Sequence, residues 1–160
     1  MTLSVPRLSR TSKVLIEAMN MRQTPDYDDP AQPGRTVSVF TMGPGGAAAE
    51  LHVIEEPGAP MATQGAGAVH HVAFRTPDRA GLTAWTERIA SMGLRSSGEV
   101  ERYYFRSLYF REPNGILFEI ATDGPGFTAD EPLATLGEKL SLPPFLEPKR
   151  AAIEARLKPV

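Results

Sequence analysis

The stretch His70-His71-Val72-Ala73-Phe74-Arg75-Thr76-Pro77-Asp78 decides the reading of this chain, together with Phe110-Arg111-Glu112-Pro113-Asn114-Gly115-Ile116-Leu117-Phe118-Glu119-Ile120. Both are rich in β-branched and aromatic residues. The first is bounded by a proline and the second opens through a Pro-Asn-Gly turn, so each reads as a β-strand. Alternation puts Val69, His71, Ala73 and Arg75 on one face of the first strand and His70, Val72 and Phe74 on the other. Glu119 shares its face with Leu117 and Ala121. Each strand therefore carries one good metal ligand at a fixed point.

Working outward, the pattern around these strands occurs twice. Met19-Asn20-Met21-Arg22 returns as Met92-Gly93-Leu94-Arg95, and Pro6 before one helix matches Pro77 before another. Gly46 and Glu50 repeat the spacing of Gly115 and Glu119, which assigns Glu50 the place in the first unit that Glu119 holds in the second. Each unit opens with a short strand, Thr2 to Val5 and His70 to Thr76. Amphipathic helices follow over Leu8 to Met19 and Arg79 to Met92, with Val14, Leu15, Ala18 and Leu82, Trp85, Ile89 on the apolar faces. Strands are expected over Thr36 to Met42 and Ala48 to Ile54, then over Glu101 to Phe110 and Ile116 to Thr122. The fold class is α+β, two paired βαβββ units with a C-terminal helical tail. Residues 1–57 form the first unit, 58–68 a Gly-, Ala- and Pro-rich linker, 69–128 the second unit and 129–160 the tail. In the tail, helices are expected over Leu133 to Leu140 and Glu147 to Leu157, broken by Pro143-Pro144.

Composition narrows the function. A chain of 160 residues with 41% hydrophobic and 22% charged residues is an ordinary globular domain. With no cysteine, disulfides, thiolate metal sites and cysteine nucleophiles are excluded. A net charge of −2 without a basic run argues against a nucleic-acid partner. No apolar run approaches membrane-spanning length and no leader is visible, so a soluble, cytoplasmic protein is expected. Gly43-Pro44-Gly45-Gly46 reads as a hairpin loop, since the lysine and helix of a phosphate loop are missing.

Imidazole plus carboxylate makes two of the three ligands of the facial triad that holds non-heme Fe(II) with open positions. Paired βαβββ units with His in the first strand and Glu in the last resemble the vicinal oxygen chelate superfamily of glyoxalases, bleomycin-resistance proteins and extradiol dioxygenases. Together with Tyr109-Phe110-Arg111 and Pro143-Pro144-Phe145-Leu146-Glu147-Pro148, the two quoted stretches resemble the C-terminal half of hydroquinone-type ring-cleaving dioxygenases. Those enzymes have four such units and open an aromatic diol with O2 at Fe(II). The resemblance makes His71 and Glu119 metal ligands, on strands that are neighbours in this superfamily and so about 4.8 Å apart. It makes His70, Arg102 and Tyr109 catalytic groups that move protons and hold phenolic oxygens. Fe(II) is the implied metal, with Mn(II) as the alternative; no organic cofactor is implied.

The third ligand is missing from this pattern. Counting six residues back from Pro6, as His71 stands six before Pro77, lands before Met1. A companion N-terminal half-protein could supply a histidine, or Glu50 could serve as the third ligand. The remaining possibility is that nothing does, and the chain is a binding or resistance module or a truncated relic. A glyoxalase-type lyase ranks last, because only Glu50, His71 and Glu119 are available to it. Half of a four-unit assembly should expose surface that favours a homo-oligomer or the companion half. Plainer readings stand beside these: a lone strand histidine, polar surface for His52, core packing for Tyr103, Tyr104, Phe105 and Tyr109, and edge charges for Arg102 and Arg106.

Overall fold

The computed structural model describes residues Met1–Lys158. The first unit runs β1 (Thr2–Val5), α1 (Leu8–Lys13), β2 (Arg22–Asp28), β3 (Thr36–Thr41) and β4 (Glu50–Glu55). The second runs β5 (Val72–Thr76), α2 (Arg79–Ser91), β6 (Val100–Glu101), β7 (Arg106–Arg111) and β8 (Leu117–Thr122). Their sheets have the same order, β1-β4-β3-β2 and β5-β8-β7-β6, and in each the first strand lies parallel to the last. The βαβββ pairing expected from the repeat is thus the observed architecture.

One face of each sheet is apolar and closes on the helices. Leu15, Phe40 and Val53 of the first unit and Leu82, Leu108 and Phe118 of the second belong to a single buried cluster. Asp78 starts α2 by accepting the Gly81 amide at 2.8 Å, a capping bond that Pro77 prepares by ending β5. Helix α1 ends differently: Val14–Ala18 winds as a π-helix, with the Met19 amide reaching the Val14 carbonyl at 2.9 Å. The wider turn buries Val14, Leu15 and Ala18 together. Arg88 of α2 then donates to the carbonyls of Ala18 and Glu17, each at 2.6 Å, so the second unit closes the end of the first unit's helix.

A second polar link is built from the turn between β7 and β8. Glu112 and Asn114 are buried there. Thr11 Oγ1 of α1 donates to Glu112 Oε2 at 2.7 Å, and Asn114 Nδ2 donates to Thr11 Oγ1 at 2.8 Å and to the Arg7 carbonyl at 2.9 Å. The sequence pattern Glu-Pro-Asn-Gly reads as turn chemistry alone, whereas it also clamps one unit to the other.

Four expectations need correcting. The repeat does not equate Glu50 with Glu119. Val5 and Thr76, each just before its proline, pair with Glu55 and Thr122, and counting back along these ladders equates Glu119 with His52 and Glu50 with Leu117. The longer connection of residues 42–49, against 112–116, displaces the apparent Gly–Glu match. Second, β5 begins at Val72, so His70 and His71 precede the strand and alternation does not govern His70. Third, the aromatic run from Glu101 to Phe110 is two strands. Residues 102–105 form a turn in which Tyr103 has φ of 69° and the Arg102 amide bonds the Phe105 carbonyl at 2.9 Å. Tyr and Phe mimic strand composition there, and no Gly, Pro or Asn marks the turn.

Last, the tail is mostly irregular. Only short 3-10 turns form at Phe127–Ala129 and Leu133–Thr135, and Gly137, with φ of 83°, ends any continuation. Leu133 is 78% exposed, so no buried face rewards a helix. The second tail helix shortens to a 3-10 turn over Glu147–Lys149 and α3 (Arg150–Glu154). Tyr104 anchors the tail by donating to Asp130 Oδ2 at 2.8 Å, with Ser141 Oγ at 3.0 Å. Among the described residues no helix is long and apolar enough to cross a membrane.

Candidate metal centre

The geometry begins with the β5–β8–β7 ladder. Tyr109 of β7 pairs with Glu119 of β8, and Ala73 of β5 pairs with Glu119 on its other side. Parity therefore points Tyr109, Glu119 and Ala73 to the same face. His71, two residues before Ala73, reaches the same place from the segment leading into β5. Its Nε2 lies 2.7 Å from Glu119 Oε2. The Tyr109 hydroxyl donates to Glu119 Oε1 at 2.6 Å.

Glu119 is 2% exposed, and a buried carboxylate needs partners for both oxygens. The phenol of Tyr109 and the imidazole of His71 supply one each. His71 is more open, its side chain 35% exposed, so the imidazole edge faces outward from a fixed carboxylate. Arg102 extends the chain: its Nε donates to the Tyr109 hydroxyl at 3.3 Å, and its guanidinium carbon stands 5.0 Å from the Tyr109 ring centroid. No carboxylate pairs with Arg102 among the described residues, whereas the neighbouring Arg106 is ion-paired with Glu101 at 2.5 Å.

His70 Nδ1 lies 2.8 Å from His71 Nδ1. One of the two must donate and the other accept, which couples their tautomers. If His71 gives Nε2 to a cation, its remaining proton sits on Nδ1 and is donated to His70. If Nε2–H donates to Glu119, His71 Nδ1 accepts from His70 instead. The pair thus continues the hydrogen-bonded chain outward from the carboxylate.

The five residues His70, His71, Arg102, Tyr109 and Glu119 are brought into one connected chain. Glu50 is not part of it. It lies on β4 of the other sheet, with Oε2 3.3 Å from His52 Nε2, and His52 Nδ1 contacts the Tyr27 hydroxyl at 3.0 Å. Among the described residues, no three His, Asp or Glu side chains gather closely enough to hold a metal ion. His71 and Glu119 are the right donor types for a divalent cation, two donors of a larger set.

Sequence reasoning passed over Gln64 and Arg111. Gln64, in the linker, donates to the His70 carbonyl at 2.7 Å and accepts from Arg111 Nη2 at 3.2 Å. A glutamine among Gly, Ala and Thr carries no periodic or motif signal. Beside the histidines lies a cavity of about 270 Å³, walled by Leu3, Val72, Ile116 and Leu117 with Gln64 and Arg111 at its polar side.

Residues 1–120 match the Glyoxalase/Bleomycin resistance protein/Dioxygenase superfamily. The chain belongs to that superfamily. Over 158 residues it is 49% identical to "Putative ring-cleaving dioxygenase MhqA" of Bacillus subtilis (strain 168), covering 99% of this chain and 49% of that protein. It is 39% identical over 111 residues to chlorohydroquinone/hydroquinone 1,2-dioxygenase of Sphingobium indicum, covering 68% of this chain and 34% of that protein. A crystal structure of a dioxygenase, named with the same qualifier as MhqA, from Bacillus subtilis subsp. subtilis str. 168 superposes with a TM-score of 0.85 at 35% identity, covering 99% of this chain and 48% of that one. This superfamily member therefore spans about half the length of the curated relative it matches over its whole length.

Proposed function

We propose that this chain is the metal-bearing half of an Fe(II)-dependent ring-cleaving dioxygenase that opens an aromatic diol of the hydroquinone or catechol type with O2. The observation that carries the reading is the pairing of His71 Nε2 with Glu119 Oε2 at 2.7 Å, on the sheet of a superfamily whose relatives bear ring-cleaving names. His71 and Glu119 would hold the iron, or Mn(II) in its place. The third donor would come from a companion N-terminal half-protein or a second copy, since Glu50 is engaged with His52 on the other sheet. When bound, the metal supplies a Lewis acid with open positions for the diol oxygens and O2.

The chain's own residues do the rest. Tyr109 fixes Glu119 by occupying Oε1, leaving Oε2 on the side of His71. Arg102, donating to the Tyr109 oxygen, brings an uncompensated positive charge toward a phenolate. His70 takes or returns a proton at Nδ1 through His71, the direction set by which tautomer the pair holds. The 270 Å³ cavity lined by His70 and His71 is large enough for one aromatic ring, since a cavity of about 150 Å³ accommodates benzene.

Oxygen consumption tests the proposal. Purified chain is loaded anaerobically with Fe(II) and mixed with hydroquinone or catechol in an oxygen electrode, alone and with the companion half. One O2 consumed per diol in either arrangement is the expected result; no uptake in both ends the proposal.

A further inference from the structure

The linker does more than join two units, and its one amide side chain is the reason. β5 starts at Val72, so the carbonyl of His70 lies outside the β5–β8 ladder and has no strand neighbour to satisfy it. Gln64 Nε2 takes that role at 2.7 Å. The other end of the same amide, Oε1, is held by Arg111 Nη2 at 3.2 Å, while Arg111 Nη1 donates to the Gly115 carbonyl at 2.8 Å. The Ala62 amide adds a bond to the Asn114 carbonyl at 3.3 Å.

Gly115 is where the linker comes closest. Its φ is 93°, and a Cβ there would stand 3.2 Å from both the Ala62 carbonyl oxygen and Met61 Cε. The turn between β7 and β8 therefore serves two partners. One side clamps α1 through Glu112 and Asn114, and the other seats residues 61–64 as a strap.

We infer that Gln64 is a positioning residue, which sets His71 on Glu119 by holding the His70 carbonyl against the Arg111–Gly115 turn. This rests on the metal-centre reading only for its consequence in metal binding; the positioning of His71 is a property of the chain itself. His70 and His71 leave the strand with no ladder to orient them, and a rotation at the His70–His71 peptide would swing the imidazole off the carboxylate. Gln64 removes that freedom with a single exposed amide.

Two variants separate positioning from bulk stability. Gln64→Ala deletes both bonds. Gln64→Glu keeps an acceptor for Arg111 but turns a carboxylate toward the His70 carbonyl. Long-range 1H–15N spectra of the imidazoles in metal-free protein, at one fixed pH, read the tautomer of His71. The wild type is expected to show one hydrogen-bonded tautomer, and both variants an averaged one, with thermal midpoints unchanged within about 2 °C. Mn(II) affinity, measured by calorimetry in parallel, is expected to fall about tenfold, as for loss of a group supporting a ligand. His71 spectra identical in wild type and both variants overturn the inference. If wild-type protein binds no Mn(II), alone or with the companion half, yet the spectra change as expected, the positioning role stands and the metal reading fails.

Discussion

Thr11 is the hinge of the contact between the two units, and Thr11→Val is the substitution that measures it. Valine matches the shape of threonine and removes only the hydroxyl, which donates to Glu112 Oε2 at 2.7 Å and accepts from Asn114 Nδ2 at 2.8 Å. Asn114 keeps its bond to the Arg7 carbonyl, and Glu112 Oε1 keeps the Ile116 amide at 3.0 Å, but Oε2 loses its partner in a region closed to water. A hydrogen bond to a carboxylate contributes about 1.5–3 kcal/mol, and the neutral amide bond about 1 kcal/mol. The expected loss is roughly 3 kcal/mol, or about 6–12 °C in thermal midpoint at the 2–4 °C per kcal/mol typical of chains this size. Urea unfolding is the assay, and the midpoint should fall while the m-value stays constant. Arg10→Ala, at an exposed site one residue away, is the control and should stay within about 0.5 kcal/mol of wild type. A Thr11→Val protein as stable as that control would refute the clamp.

Other outcomes follow from single groups. Asp78→Ala removes the side chain that caps α2 and should cost about 1 kcal/mol, with Asp78→Ser recovering most of it in thermal melts. Asp29 accepts the Ala31 amide first and the Arg35 guanidinium second, which together hold its carboxyl below the usual range. A lowered folded value means that its stabilisation is present above the unfolded value near 3.8 and is lost as pH falls through the folded one. Asp29→Asn should therefore be less stable than wild type at pH 7, and the gap in urea midpoint should close in strong acid; a gap independent of pH would contradict this. Tyr109→Phe strips the hydroxyl from Glu119 Oε1 and should lower Mn(II) affinity about tenfold by calorimetry. Unchanged affinity would leave the phenol outside the centre.

The sequence made the fold legible because its punctuation is repeated. Pro6 and Pro77 close equivalent strands, and the apolar stripes of α1 and α2 lie where the periodicity puts them. His71 and Glu119 could be matched because each sits in a strand pattern with a recognisable end. Register was harder. Glu50 seemed equivalent to Glu119 because a Gly–Glu spacing recurred, yet ladder pairing is fixed by backbone hydrogen bonds, and these equate Glu119 with His52. The turn at residues 102–105 was hidden by aromatic residues that favour strands. The Gln64–Arg111 contact and the Thr11–Glu112–Asn114 clamp were invisible for a common reason: each of these bonds spans a long stretch of chain, and no local pattern encodes it. The π-helical end of α1 likewise answers to packing rather than to propensity.

The proposed centre needs one imidazole and one carboxylate, His71 and Glu119, to share a cation, and Mn(II) measures that directly through the free-ion EPR signal. Wild-type protein should take up one Mn(II) per chain, alone or with the companion half, and His71→Ala and Glu119→Gln should each abolish uptake while remaining folded. Uptake retained in both variants, or none by the wild type in either arrangement, would contradict it.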